Sequence, residues 1–306
     1  MPNRAPIWFA ILTLTIPAAI ASNDAATATE PIELRQSDGS TIRLEAAASR
    51  LVTLSPHLAE LVFAAGAGDL LVATVAYSNF PPEVTSLPQV GDAFRVDVER
   101  IHQLKPDLIL AWQSGNPPNA LAQLQQLGFS VWILEILSPE EIADAVEAIG
   151  RASGTEAYAG AVASELRERI GDLEAAHAQD QPVRYFYQVA AQPLYTVNGQ
   201  HLISRGLALC AGENVFADLP GLAPQIGLEA VLMADPAALI APEISGQPDP
   251  LEQWADWPRL QAVQQGNLLL LPADAISRAT PRFFDAVELA CSMLDDLRHP
   301  QGSQAQ

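Results

Sequence analysis

The sequence predicts an α/β protein with two Rossmann-like lobes, joined by one long rigid α-helix and separated by a ligand cleft. The main observation is a duplicated segment: VERIHQLKPDLILA begins at Val98, and LEAVLMADPAALIA begins at Leu228. In both copies a glutamate opens a short amphipathic helix, a proline follows, and an apolar strand ends in alanine. Such a helix, ended by proline, typically leads into a buried parallel strand.

A second pair of segments favours duplication. LAELVFAAGAGD, from Leu58, is matched in the same order by LISRGLALCAGEN, from Leu202, and each contains an Ala-Gly turn after an apolar helix pattern. Similar helix ends also recur by chance in α/β proteins. Two pairs in one order make duplication the better interpretation.

Residues 1–21 have the features of a secretory signal peptide. Arg4 precedes an apolar run too short to span a bilayer, and Ala19-Ile20-Ala21 is a cleavage signal. An uncleaved membrane anchor is the alternative. No cysteine follows the run, so the sequence predicts a periplasmic protein without a lipid anchor.

The chain is strongly acidic, with 16 Lys and Arg against 36 Asp and Glu and a net charge of −20. Such a surface repels phosphate backbones, so nucleic acid is not an expected partner. We expect a monomer. The two cysteines, Cys210 and Cys291, favour a disulfide in an oxidising compartment, although two separate buried thiols are the alternative.

The first half contains an N-terminal segment and the first lobe. Residues 22–50 include two alternating runs around Asp38-Gly39, which predict a hairpin. Residues 51–153 alternate strands (LVTL, LLVATV, DLILAW and VWIL) with helices, which predicts a parallel sheet covered on both faces. The loops at the carboxyl ends of such strands form the ligand crevice, and here they carry Ser55, Tyr77, Trp112 and Glu135.

The sequence predicts the connecting helix at residues 154–181, because its apolar positions fall on one helical stripe: Tyr158, Val162, Leu166, Ile170 and Leu173. A single helical connector is stiff and implies small hinge motion. Residues 182–298 predict the second lobe, with strands RYFYQVA, ALIA and NLLLL, a helix containing Cys210, one helix around Leu251 to Val263, and a last helix. Residues 299–306 read as a tail.

The sequence carries few catalytic signals. It lacks a G-x-S-x-G elbow, a P-loop and a C-x-x-C pair, and its five histidines show no i,i+4 pair, so neither an enzyme nor a metal or cofactor site is expected. His57, at a helix start, fits a capping role better than metal ligation. The predicted crevice loops are instead rich in aromatic residues, which suit a large, flat, partly apolar ligand: Tyr77, Phe80, Phe94, Trp112 and Tyr195.

Several segments resemble the periplasmic cobalamin (vitamin B-12) binding proteins of ABC importers. They are LVTLSPHLAELVFAAGAG, AYSNFPPEV, DVERIHQLKPDLILAWQSGN, LALCAGENVF, GLEAVLMADP and SRATPR. More broadly, the chain is similar to the helical-backbone (class III) substrate-binding proteins for corrinoids, haem and ferric siderophores. The resemblance implies two lobes that hold a corrinoid, cobalamin in the first place, and deliver it to a permease dimer in the inner membrane.

The resemblance also assigns residues. Glu99 and Glu229, which by themselves suggest only ordinary charges at helix N-termini, match the two glutamates that dock on permease arginines. Cys210 and Cys291 match a disulfide pair. The resemblance also matches Tyr77, Tyr195 and the loop from Asp274 to Arg278 with residues that contact the ligand. Together with Phe94 and Trp112, taken from the crevice loops, the residues expected to contact ligand are Tyr77, Phe94, Trp112, Tyr195, Asp274, Ala275, Ile276, Ser277 and Arg278.

Departures from the family pattern affect the expected ligand. Tryptophans of the cleft are replaced by Ala93 or Phe94, by Ala223 and by Ala275, and Ser277 replaces an acidic contact. The cleft is then wider, or the ligand is another corrinoid such as cobinamide. The alternatives are haem, with Tyr77 or His57 as iron ligand, a ferric siderophore held by Arg95, Arg205 and Arg278, and, from another class, a secreted α/β enzyme.

Overall fold

The computed structural model describes residues 1–2, 31–92 and 94–299. Almost all of the predicted signal peptide, Ala93 and residues 300–306 lie outside the described part. The rest confirms the predicted fold class, because it contains two four-stranded parallel sheets, each covered by helices. The domain boundaries given above stay predictions. In the described residues no helix combines the length and apolarity that a membrane span requires.

The first lobe is built on the sheet order β4-β3-β5-β6. Its strands are short and almost fully buried, which is expected for parallel strands covered on both faces. Their bounds are β3 Leu51–Thr53, β4 Leu71–Ala73, β5 Leu108–Trp112 and β6 Val131–Leu134. The helices are α1 Pro56–Ala64, α2 Val98–Leu104, α3 Pro118–Gln126 and α4 Pro139–Ser153.

The second lobe repeats that order as β10-β7-β11-β12. In each lobe the second strand lies outside the first, and the third and fourth follow on the other side, so the predicted duplication is also a duplication of topology. The strands are β7 Val183–Tyr187, β10 Gly212–Asn214, β11 Ala238–Glu243 and β12 Leu268–Pro272. The helices are α6 Leu202–Ala208, α7 Leu228–Ala234, α8 Gln261–Gln265, α9 Ala273–Ile276 and α10 Arg282–Arg298.

The connecting helix, α5, runs from Glu156 to His177 and is about 33 Å long at 1.5 Å per residue. It packs closely on α4, where a Cβ added to Gly150 would lie 2.2 Å from the Cβ of Ala159. Arg169 of α5 donates to Asp285 and Glu288 of α10 at 2.8 and 2.9 Å. The helix is therefore fastened to both lobes along its length.

Two smaller predictions are confirmed. Strands β1 Ile32–Arg35 and β2 Thr41–Leu44 form an antiparallel hairpin, and the Nε1–H of Trp132 in β6 donates to the Arg35 carbonyl, which attaches the hairpin to the first lobe. A disulfide joins Cys210, just after α6, to Cys291 in α10, with the two Cα atoms 5.3 Å apart. A short antiparallel pair, β8 Ala190–Ala191 and β9 Leu194–Tyr195, follows β7.

Two details of the second lobe were predicted wrongly. The single helix expected around Leu251 to Val263 is a 3-10 turn, Glu252–Asp256, followed by the short α8. Pro258 explains the break, because proline disfavours helical geometry in the preceding residue, here Trp257. The polar strand β10, Gly212–Asn214, was not predicted, since its sequence Gly-Glu-Asn lacks a strand pattern and pairs only at the sheet edge.

Candidate ligand-binding cleft

A cavity of about 370 Å³ lies between the lobes, where the carboxyl ends of the two sheets face each other. With the open space in front of it, the empty volume is about 950 Å³. The first lobe contributes His57, Trp112, Ser114, Glu135, Ile136 and Leu137, and the second contributes His201, Leu202, Leu222, Ala223, Ser277 and Ala279.

A cavity of about 400 Å³ also lies beside the connecting helix, lined by the start of α4, the end of α5, and the end of α6 with the residues that follow it. Its described lining includes no aromatic side chain other than the imidazole of His177, and Ala211 of this lining directly precedes β10, at the amino end of that strand. Because open α/β sheets bind ligands beyond the carboxyl ends of their strands, the inter-lobe cavity is the better candidate site.

Trp112 forms a fixed aromatic wall of this cavity. Its indole Nε1–H donates to Glu135 Oε1 at 3.2 Å, and its backbone N–H donates to Asn116 Oδ1 at 2.7 Å. Ser114 adds two further hydrogen bonds to the Glu135 carboxylate, from its backbone N–H at 2.8 Å and its hydroxyl at 3.0 Å. A Cβ on Gly115 would lie 1.8 Å from the indole, so glycine is required there for Trp112 to hold this position.

Two histidines face the cavity from opposite lobes. Burial, and then the charge of Arg278, lowers the pKa of His57 to about 3. Burial lowers the pKa of His201 to about 4. Both imidazoles are therefore neutral at neutral pH, because the low-dielectric surroundings disfavour the charged form.

A charged cluster beside the cleft links the two lobes. Glu60 of α1, which is 3% exposed, accepts from Arg278 at 2.7 Å and from Arg282 at 2.7 and 3.0 Å. Arg278 also donates to Asn79 at 2.6 Å and to Asp274 at 3.0 Å. These bonds join side chains of the first lobe to the start of α10 and the loop before it, so they fix the spacing of the lobes there.

Of the predicted ligand contacts, the cavity lining brings together Trp112 and Ser277. Tyr77 is 81% exposed beside the cleft and accepts a long hydrogen bond, 3.4 Å, from Arg278 through its carbonyl. Phe94 is 74% exposed, and Asp274 is exposed but bonded to Arg278. Tyr195 is half-buried on β9, and Ala275 and Ile276 are buried in the second lobe. The contact roles of these residues stay predictions.

The two glutamates predicted to dock on a permease occupy equivalent positions in the two lobes. Glu99 and Glu229 are exposed in the first turns of α2 and α7, which have the same length. Both helices end in a left-handed residue, Lys105 with φ 49° and Asp235 with φ 42°. The match extends the duplication from sequence to local geometry, while the docking role itself stays a prediction.

Sequence reasoning missed His201 and Glu60. The signal for His201 was present: His57 precedes Leu58 and His201 precedes Leu202, the first residues of the second duplicated pair. The two histidines are thus related by the duplication. Glu60 interrupts an apolar helix pattern, and its buried position depends on two arginines more than 200 residues away, which the sequence alone does not bring together.

A cluster of one histidine and two aspartates near the end of α5 does not form a metal site. His177, Asp180 and Asp295 lie close enough together to hold an ion. Arg298, however, donates to Asp295 at 2.6 Å and to Asp180 at 3.3 Å. The guanidinium already provides the cation, so this group is an ion-pair network that ties α10 to the end of α5.

Comparisons with known proteins agree with this architecture. Residues 51–275 match the periplasmic binding protein family. The chain is 40% identical over 251 residues to the vitamin B12-binding protein of Vibrio cholerae, covering 81% of this chain and 89% of that one. It is 37% identical over 255 residues to the vitamin B12-binding protein of Photorhabdus laumondii, covering 83% and 90%.

Solved structures give the same result. The crystal structure of the periplasmic vitamin B12 binding protein BtuF of Vibrio cholerae aligns with a TM-score of 0.76 at 39% identity, covering 82% of this chain and 98% of that one. The periplasmic heme-binding protein RhuT of Roseiflexus sp. RS-1 aligns with a TM-score of 0.72 at 21% identity, covering 83% and 100%, which indicates a shared fold alone. The chain belongs to the periplasmic binding protein family, and it is accordingly a binding protein and not an enzyme.

Proposed function

We propose that this protein captures a corrinoid in the periplasm, with cobalamin as the expected ligand, and presents it to an ABC importer. The observation that carries the proposal is the chemistry of the inter-lobe cavity. Its described lining contains no lysine or arginine, its two histidines are neutral, and the Glu135 carboxylate is occupied by hydrogen bonds within its own lobe. The similarity to vitamin B12-binding proteins supports the same ligand.

The charge of the cavity favours a corrinoid over haem. A corrin carries neutral amide side chains, whereas haem carries two propionates. Burying a carboxylate is costly unless a cation pairs with it. A cavity whose described lining holds no cation, with Trp112 on one side and apolar Leu202 and Leu222 on the other, suits an amide-bearing ring better than one with carboxylates.

The same reasoning disfavours an anionic siderophore. Arg95 and Arg205 do not line the cavity, and Arg278, which lies beside it, is held by Glu60 and Asp274. A siderophore carboxylate would have to displace one of these partners. The three arginines considered from the sequence therefore do not form a ready anion site.

Calorimetric titration of the purified protein with cyanocobalamin, cobinamide and haem tests the ligand. We expect both corrinoids to bind and haem to bind more weakly. Trp112→Ala should weaken cyanocobalamin binding about tenfold, because it removes the aromatic wall of the cavity. Trp257→Ala is the matched control, since Trp257 lies outside the cavity lining and should leave affinity unchanged. If neither cyanocobalamin nor cobinamide gives heat of binding, the proposal is refuted.

We further propose that Glu99 and Glu229 dock on the two subunits of a permease dimer. The support is geometric: the two carboxylates are exposed, stand at the same turn of equivalent helices, and belong to lobes of equal topology. A pseudo-symmetric pair of acidic side chains suits a two-fold symmetric partner that offers an arginine to each.

A further inference from the structure

The inter-lobe cavity contains one uncompensated charge. Of its described lining residues, only Glu135 is charged at neutral pH, because His57 and His201 are kept neutral mainly by their burial. Glu135 directly follows β6, so its carboxylate stands at the carboxyl end of a parallel strand, where α/β sheets bind their ligands. The lining therefore carries a negative charge at the place where a ligand is expected.

The position of the Glu135 carboxylate is fixed by neutral donors. Its Oε1 accepts from Trp112 Nε1 at 3.2 Å and from the Ser114 hydroxyl at 3.0 Å, and its Oε2 accepts from the Ser114 backbone N–H at 2.8 Å. None of these donors brings a positive charge. The hydrogen bonds hold the carboxylate in place without neutralising it.

The cations around the cavity are matched by other carboxylates. In the described part of the chain Glu135 belongs to no ion pair. The cluster beside the cleft is balanced, with two guanidinium groups and two carboxylates: Arg278, Arg282, Glu60 and Asp274. Glu135 also borders a cavity beside the N-terminal hairpin, and the other charged residues lining that cavity balance as well: Arg35, Arg151, Glu141 and Asp144.

We propose that Glu135 makes the protein selective for the charge of its corrinoid, so that a cationic corrinoid binds more tightly than a neutral one and an anionic corrinoid binds most weakly. The inference rests on the proposed function, since it concerns a corrinoid in this cleft. Cyanocobalamin is neutral, whereas aquacobalamin, with water in place of cyanide on the cobalt, is a cation. In a partly buried site, a unit charge up to about 10 Å from a carboxylate changes the affinity by on the order of tenfold.

The test is a charge series of three cobalamins, titrated at about pH 6, where both cavity histidines are still neutral. The ligands are aquacobalamin, cyanocobalamin, and a cyanocobalamin monocarboxylic acid, in which one side-chain amide is hydrolysed to a carboxylate. With the unmodified protein, each step from cation to neutral ligand to anion should weaken binding about tenfold. Glu135→Gln removes the charge and keeps an acceptor oxygen, so it should bring the three affinities within about threefold of one another.

Glu168→Gln is the matched control. It removes an exposed carboxylate of α5 outside the cavity lining, so it changes the net charge by the same amount and should leave both tenfold steps in place. If the two variants give equal steps, the overall charge of the protein discriminates and Glu135 does not, which would refute the inference.

Other outcomes separate charge from structure and from cobalt chemistry. If Glu135→Gln weakens all three ligands equally, Glu135 acts only by holding Trp112 in place, and the inference is wrong. If the unmodified protein discriminates aquacobalamin but not the monocarboxylic acid, the cause lies at the cobalt and not in the ligand charge, and the inference is again wrong. Corrinoid binding stands in each of these cases. If none of the three cobalamins binds, the proposed function fails as well.

Discussion

Burial of His201 couples the stability of the protein to pH. Its pKa is lowered to about 4 in the folded protein from the ordinary value near 6.5. Between these values the unfolded chain binds a proton that the folded chain does not, so the free energy of unfolding rises with pH. The stabilisation is therefore fully present above pH 6.5 and is lost as the pH falls towards 4. Protonation would also remove the Nδ1 acceptor that caps α6.

His201→Asn isolates this contribution, because asparagine is a good N-cap and does not titrate. We expect the free energy of unfolding of the variant to fall less steeply between pH 6.5 and 4, by up to one proton or about 1.4 kcal/mol per pH unit. Urea unfolding at pH 7, 6 and 5 measures the slope. The matched control is His102→Asn, at an exposed histidine. Equal slopes for the unmodified protein and His201→Asn would contradict the prediction.

Single residues differ in how far the sequence predicts them. Cys210 and Cys291 could be paired because a predicted secreted chain contains two cysteines, and the structure joins them. Glu99 and Glu229 could be matched because their surrounding segments repeat. His201 and Glu60 could not be placed from composition or spacing, since their roles arise from the meeting of two lobes. The decisive neighbour of Glu60, Arg282, is remote in sequence, and so are the first-lobe residues that line the cavity with His201.

At the scale of elements, the contact between α1 and α10 depends on one buried carboxylate. Glu60 accepts hydrogen bonds from both Arg278 and Arg282, and Arg282 also lies over the ring of Phe80 at 4.1 Å. Removing one member of a buried ion pair leaves the remaining charge without compensation, and this costs more than the pair itself contributes. The junction is therefore sensitive to neutralisation of Glu60.

Glu60→Gln should lower the free energy of unfolding by about 3 kcal/mol, because it leaves two guanidinium groups without their shared partner. Chemical denaturation monitored by circular dichroism gives this value. Glu45→Gln is the matched control, since Glu45 forms an exposed ion pair with Arg43, and its loss should change stability by less than about 1 kcal/mol. If the two variants lose the same amount, the cluster does not stabilise the contact between the lobes.

Elements were predicted best where local pattern and tertiary role coincide. The apolar strand ending in Trp112 is buried within its sheet, so its apolar run identified it. Hydrophobic periodicity also identified α5, where Leu166 and Ile170 of the predicted stripe are buried, but Tyr158 is 59% exposed and Ala159 and Ala163 form the buried face at that end. The strand Gly212–Asn214 was missed because an edge strand is stabilised by pairing with β7 and not by its own side chains. The break in the predicted helix around Leu251 to Val263 is indicated in the sequence by Pro258, which the helix prediction did not take into account.

At the scale of the whole molecule, two four-stranded sheets of equal strand order are joined by a single stiff helix, α5. The equal strand orders place α2 and α7 at equivalent positions, and α5 is bonded to α4 through Arg167 and Asp144 at 2.8 Å and to α10 through Arg169. Rigid spacing of the lobes also sets the spacing of Glu99 and Glu229. A permease dimer with arginines at that spacing could engage both glutamates together, so each contact would raise the effective concentration for the other.

Replacing both glutamates tests this arrangement. Glu99→Ala combined with Glu229→Ala should leave corrinoid affinity within about twofold, because neither residue lines the cavity, and should weaken association with the reconstituted importer at least about tenfold, because two charge-assisted contacts are lost. Glu140→Ala combined with Glu156→Ala is the matched control: both are exposed first-turn glutamates, on α4 and α5, so their removal has the same effect on net charge and on helix dipoles. If both double variants lose the same amount of association with the importer, general acidity drives docking, and not the paired geometry of α2 and α7. Loss of corrinoid binding in the first variant would instead place Glu99 or Glu229 in the binding machinery and contradict the docking role.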